Sequence, residues 1–293
     1  MRSIKAKSIL QKAGGNSNLW FGIDYNINLY KGCPHGCIYC DSRSECYQID
    51  HFDEVRIKEN EITILNKELQ SKKKKGVVGI GAMSDTYNPF EKELEITRQA
   101  LQLLQFYHFG VSIDTKSNLV VRDIDILKQM KNVIIKFTVT TADDELCKKI
   151  EPHVCVSSAR FKAMKALSDE GIFTGILFTP ILPFITDQEE NIKTVIRLSH
   201  EHGAKFIYSM FGVTLRTNQR DYYYQQLDRL FPGLKAKYQQ FFGNNYMCEI
   251  QNYSHLKRVF VSECQKYGLL YIMEDIIAAY KEENEQIQLT FDL

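Results

Sequence analysis

The stretch "YKGCPHGCIYC" at positions 30–40 places three cysteines, Cys33, Cys37 and Cys40, within eight residues. A disulfide needs two thiols and a structural zinc site usually takes four ligands, so three points to a metal centre left one ligand short. Thiolates are the usual ligands of iron–sulfur clusters, and three of them can hold three irons of a four-iron cluster while the fourth stays open. Catalytic zinc follows the same logic when it keeps one position free, and His35 or Cys46 stands close enough in sequence to complete a zinc site. Gly32 and Gly36 let the backbone turn tightly around a bulky group, and Pro34 stiffens the turn. The iron–sulfur and zinc readings both remain open on these residues, as does a chance cluster of buried thiols.

The elements around this loop alternate between strand and helix patterns. An apolar and aromatic run at 19–30 leads into the cysteines. Helical periodicity at 61–70 ends in Lys72–Lys75, which suits the carbonyl end of a helix dipole. "VVGIGA" reads as a buried strand, and "PFEKELEITRQALQLL" spaces Leu94, Ala100, Leu101 and Leu104 as one helix. Further strands are expected at 111–115, 133–140, 173–181 and 204–211. Helices are expected at 123–130, 143–150, 157–170 and after a capping box formed by Thr186 and Glu189. This alternation predicts an α/β fold with parallel strands, a partial (β/α)6 TIM-type barrel with a C-terminal helical extension. Chemistry in such barrels sits on the loops after the strands, which is where the cysteines fall. The expected organisation is an N-terminal extension at 1–18, the barrel at 19–212 and a helical region at 213–293. In that last region "RTNQRDYYYQQLDRLFPGLKAKYQQFFGNNYMCEI" reads either as a cap closing the barrel or as a substrate surface.

The 293 residues carry 37 basic and 36 acidic side chains, so no global field draws the protein toward nucleic acid or an acidic membrane. No run approaches the roughly 18 apolar residues of a membrane span, and the first residues lack a signal-peptide core. The protein therefore reads as cytoplasmic, without membrane association. Its eight cysteines would there be reduced, which favours metal or redox chemistry over disulfides.

Cys33-x-x-x-Cys37-x-x-Cys40, with aromatic Tyr39 before the last cysteine, resembles the signature of radical S-adenosylmethionine enzymes. The resemblance implies a [4Fe-4S] cluster whose open iron chelates S-adenosylmethionine, with a low-potential electron donor of the flavodoxin or ferredoxin type. It also implies reductive cleavage to a 5′-deoxyadenosyl radical that abstracts hydrogen from a substrate, and it places Tyr39 near the adenine. The alternative is a non-enzymatic zinc or iron–sulfur module that recognises nucleic acid or a protein partner.

The order "GAMSDTYNPFEKELEITRQALQLL", "DTKS", "FTVTT", "IEPHVCVSSARFKAMKALSDEGI", "FTPILP", from about Asn18 to Phe211, is similar to the spore photoproduct lyase group. By that resemblance Ser84 and Asp85 approach the S-adenosylmethionine amine, Lys116 faces its carboxylate, and Thr138 and Thr140 lie near its ribose. A carboxylate and a hydroxyl are what an ammonium requires. Each also has an ordinary alternative: a helix cap for Ser84 and Asp85, a surface turn for Lys116, plain strand positions for the threonines. Glu151 and Arg160 are shared with the group and read as a structural ion pair. Ala82 stands where the DNA-repair lyase has a hydrogen-donating cysteine, so that repair chemistry does not carry over. The substrate is open between nucleic acid, peptide and metabolite, with Tyr222–Tyr224 as candidate base-stacking rings.

Weaker signals have plain explanations. Gly76, Gly79 and Gly81 lie in or beside a strand rather than between strand and helix, where a phosphate loop belongs. His200 and His202 fit a solvated helix end, and Cys46, Cys147, Cys155, Cys248 and Cys264 fit small buried hydrophobes, Cys46 least of all.

Overall fold

The computed structural model describes residues 2–14 and 20–289. Asn18 and Leu19, where the family resemblance and the first strand pattern begin, lie outside the described residues. The strands are β1 (Arg2–Ile4), β2 (Leu10–Lys12), β3 (Tyr25–Ile27), β4 (Tyr30–Lys31), β5 (Arg56–Lys58), β6 (Val77–Ile80), β7 (Gly110–Thr115), β8 (Val133–Thr138), β9 (Thr174–Phe178), β10 (Phe206–Ser209), β11 (Gly212–Thr214) and β12 (Met247–Glu249). The helices are α1 (Glu61–Ser71), α2 (Glu91–Leu94), α3 (Ile96–Phe106), α4 (Ile124–Leu127), α5 (Asp144–Ile150), α6 (Ser157–Asp169), α7 (Glu189–Glu201), α8 (Gln219–Leu230), α9 (Leu234–Phe242), α10 (Tyr253–Tyr267) and α11 (Met273–Leu289).

The main sheet runs β10-β9-β8-β7-β6-β3-β2. Its first six strands are mutually parallel, and β2 joins β3 antiparallel at the edge. Every residue of β6, β8 and β9 is buried, the signature of a parallel sheet covered on both faces. One face carries Val78, Ile80, Val111, Ile113, Ile135, Phe137, Ile176 and Phe178, packed with apolar residues of α1, α3, α6, α7 and α10. The other carries Val77, Ile134 and Leu177 with Phe21, Phe173, Phe206 and the α11 residues Ile276 and Tyr280. This is the partial six-stranded barrel expected from the alternation.

Several local expectations differ. The 19–30 run splits: β3 enters the barrel, whereas β4 pairs with β5 in a separate small sheet that also takes β1. The helix expected after Pro89 breaks at Glu95, whose φ of 50° ends α2, and the Glu91 carboxylate accepts the Thr97 amide at the start of α3. At 123–130 only α4 is α-helical, following a 3-10 turn at Asn118–Asp123. Thr186 does not cap α7: its hydroxyl accepts the Leu182 amide at 2.8 Å, and Gln188 takes the cap position without a side-chain bond. The C-terminal region is not purely helical, because β11 and β12 form a short antiparallel pair within it. Tyr223 and Tyr224 are buried, Tyr223 bonding Tyr238 at 2.9 Å, and the guanidinium of Arg43 lies 3.9 Å from the Tyr222 ring centre. Tyr223, Tyr224 and Tyr238 belong to one buried cluster with Ile38, Tyr39 and Leu182, so α8 and α9 pack over the cysteine loop.

Candidate functional site

The cysteine loop follows β4 and is pinned by the Cys33 amide, which donates to Phe52 O at 2.8 Å. Gly32, at φ +85°, is required there: a Cβ would lie 2.4 Å from Glu54 O. Cys33, Cys37 and Cys40 all line one cavity of about 150 Å³ together with His35, Ser84, Asp85, Asp114, Lys116 and Thr138. His35 comes from the cysteine loop, whereas Ser84, Asp85, Asp114, Lys116 and Thr138 come from the C-terminal ends of β6, β7 and β8, so consecutive parallel strands deliver polar residues to one place.

Ser84 and Asp85 tie these ends together. The Ser84 hydroxyl donates to Gly32 O, joining the β6 end to the cysteine loop. Asp85 accepts from the Tyr87 amide at 2.9 Å, the Thr115 hydroxyl at 2.8 Å and the Lys116 amide at 2.7 Å. The His35 ring nitrogen Nδ1 lies 3.7 Å from Asp85, and burial lowers the histidine pKa, which favours the neutral ring. Lys116 is half-buried and carries no hydrogen bond on its ammonium among the described residues; its Nζ sits 5.7 Å from the Tyr39 ring centre. Burial opposes its charge, but Cys37, Glu151 and Asp85 outweigh burial and its pKa is raised. Burial likewise pushes up all three thiols, Cys33 to about 11.

Thr138 reaches the cavity wall, whereas Thr140 lies buried outside it with its hydroxyl unpartnered. Tyr39 is buried, and its hydroxyl donates to Glu151, which pairs with Arg160 at 2.6 Å. Asp114 was not singled out by sequence reasoning; it lines the cavity and pairs with the fully buried Lys136 at 2.6 Å. The lone lysine in the apolar run "VIIKFT" was the available signal. Of the other cysteines, Cys147, Cys248 and Cys264 are buried, Cys155 is half-buried and Cys46 is exposed beside Arg216. His202 bonds Leu198 O and His200 packs on Tyr267.

Among the described residues no three His, Cys, Asp or Glu side chains converge as a single metal ion would require. Zinc would draw sulfurs to about 2.3 Å from one point. Cys33, Cys37 and Cys40 line one shared cavity, and Gly36, at φ +66°, turns the backbone between the first two. All three donors are of the type that iron–sulfur clusters use.

The chain belongs to the radical SAM superfamily, whose family model matches residues 27–198, more than half of the chain. An uncharacterized protein of Methanocaldococcus jannaschii is 34% identical over 171 residues, covering 57% of this chain and 64% of that relative's length, just under two thirds. An uncharacterized protein of Mycobacterium tuberculosis is 26% identical over 249 residues, 82% of this chain and 72% of the relative. Spore photoproduct lyase complexed with dinucleoside spore photoproduct superposes with a TM-score of 0.69, covering 92% of this chain and 81% of the lyase at 12% identity. The radical S-adenosylmethionine methyltransferase TsrM of Kitasatospora setae, solved with cobalamin and a [4Fe-4S] cluster, gives 0.55 at 11% identity over 81% of this chain and 52% of its own. At these identities the two structures show a shared fold. Among the described residues no helix is long and apolar enough to cross a membrane.

Proposed function

We propose that this chain is an enzyme that cleaves S-adenosylmethionine reductively and uses the product radical to abstract hydrogen from an organic substrate. Cys33, Cys37 and Cys40 hold the [4Fe-4S] cluster in this reading. A [4Fe-4S] cluster bound there would supply the electron for reductive cleavage of S-adenosylmethionine to methionine and a 5′-deoxyadenosyl radical. The observation that carries the proposal is the shared cavity: three thiols line it together with the Lys116 ammonium, the Asp85 carboxylate and the Ser84 and Thr138 hydroxyls.

Each residue then has a task. Lys116, whose ammonium makes no hydrogen bond among the described residues, meets the methionyl carboxylate. Asp85 already accepts three hydrogen bonds, which fix its orientation; a carboxylate offers about four lone-pair sites, so one remains for the methionyl ammonium. Thr138 contributes a hydroxyl near the ribose, Thr140 lies behind it, and Tyr39 closes the adenine side. Ala82 lines the cavity and offers no thiol hydrogen, so the product radical must be quenched by another donor or by the deoxyadenosine itself.

The electron comes from a flavodoxin- or ferredoxin-type donor, and a cluster with reduced thiols suits the cytoplasm. The substrate class spans peptide, metabolite and nucleic acid. Burial of Tyr223 and Tyr224 and a net charge of +1 weigh against non-specific nucleic-acid binding. The test is anaerobic reconstitution with iron and sulfide, followed by S-adenosylmethionine and dithionite. The proposal expects a brown protein that forms 5′-deoxyadenosine and loses that activity in Cys37→Ala. Stoichiometric zinc in anaerobically purified protein, or an intact cluster that yields no 5′-deoxyadenosine, would sink it.

A further inference from the structure

The segment 150–153, after α5, runs alongside the cysteine loop. The Ile38 amide donates to Ile150 O at 3.0 Å, and the His153 amide donates to His35 O at 3.2 Å. Between these two backbone bonds the Tyr39 hydroxyl donates to the Glu151 carboxylate. Gly36 fits this approach closely, since a Cβ there would lie 3.1 Å from His153 and 3.2 Å from Pro152. The segment is anchored in turn by Arg160 of α6. Its guanidinium pairs with Glu151 at 2.6 Å and donates to Cys155 O at 2.9 Å and to Thr138 O at 2.8 Å. An unbroken chain of polar bonds thus runs from the end of β8, through Arg160, Glu151 and Tyr39, to the residue that precedes Cys40. Glu151 is 1% exposed and Arg160 0% exposed, so neither charge is screened by water.

Such a pair does more than hold the loop. The reduction potential of an iron–sulfur cluster depends on nearby charge as well as on cluster type and hydrogen bonding. A buried anion opposes an added electron, and Arg160 and Lys116 are the cations set against it.

We propose that Glu151 is a positioning residue for the cysteine loop, acting through Tyr39, and that its paired charge helps set how readily a cluster held there accepts an electron. The inference rests on the cluster reading above. Arg160 and Lys116 keep the Glu151 carboxylate below the usual range despite its burial, so it is an anion at neutral pH.

Two variants of the full chain separate the roles. Glu151→Gln removes the charge but keeps the shape; Tyr39→Phe removes the tether but changes no charge. After anaerobic reconstitution, Glu151→Gln is expected to move the cluster midpoint to more positive potential, because the buried anion that opposes an added electron is gone and Arg160 keeps its charge. Tyr39→Phe is expected to keep the midpoint near wild type and to lose iron to a chelator about tenfold or more faster, as for partners that orient metal ligands. A purely structural ion pair would lower the melting temperature and leave both readouts alone. A wild-type midpoint in folded Glu151→Gln, or wild-type iron retention in Tyr39→Phe, would overturn the inference. The second variant decides the matter should Glu151→Gln fail to fold. A wild-type chain that takes up no iron and sulfide at all would overturn the cluster reading as well.

Discussion

Lys116 stands out at the scale of single residues because its ammonium makes no hydrogen bond among the described residues, in a cavity otherwise tied together by internal bonds. A charge-assisted hydrogen bond contributes about 1.5–3 kcal/mol, so Lys116→Met should weaken S-adenosylmethionine binding roughly 10- to 100-fold. Equilibrium dialysis on reconstituted protein measures this, and cluster content should not change. Unaltered affinity would remove Lys116 from the binding role. Lys136 gives a test of a different kind. Burial lowers its pKa, with Asp114 acting in the opposite direction. Between that lowered value and the unfolded value near 10.4, the unfolded chain binds more protons than the folded one, so this lysine makes stability rise with pH. Urea unfolding across the alkaline range should show wild type gaining stability relative to Lys136→Met as pH approaches 10; a constant difference would contradict the assignment. The cysteine trio and Lys116 were legible in the sequence because residue type and local spacing carry their meaning. The bonds that occupy Asp85 were not, since Thr115 and Lys116 reach it from another strand.

Among the elements, α11 shows how far a correct secondary-structure reading can fall short of placement. The sequence places it in an expected helical region at 213–293, yet nothing local says that Ile276 and Tyr280 fill the sheet face opposite α1, α3, α6 and α7. Tyr280 also donates to Phe21 O at 2.8 Å, joining α11 to the segment before β3. Ile276 is 0% exposed, so Ile276→Ala should cost about 2–5 kcal/mol, the range for a truncated core isoleucine. Denaturant unfolding checks this, and a loss well below that range would show that α11 packs loosely. The strand assignments fared best where burial on both faces gives continuous apolar runs, as in β6, β8 and β9. They fared worst at 19–30, where one apolar run serves two sheets. Thr186 and Glu189 had the spacing of a capping box, but a buried partner, Leu182, claimed the threonine first.

At the scale of the whole molecule, the parallel sheet gathers its polar residues at one rim, and the α8–α9 cap covers the loop that completes the site. The sequence leaves this region open between a cap and a substrate surface, because buried and base-stacking tyrosines look alike until packing partners are known. Everything proposed here depends on three thiols holding a cluster with one iron open to the cofactor. The most direct measurement is electron paramagnetic resonance of the anaerobically reduced, reconstituted chain before and after S-adenosylmethionine is added. The account predicts a [4Fe-4S]⁺ signal whose shape changes on addition, in wild type and not in a variant lacking Cys33, Cys37 and Cys40. A fully loaded cluster whose spectrum is indifferent to S-adenosylmethionine would contradict it.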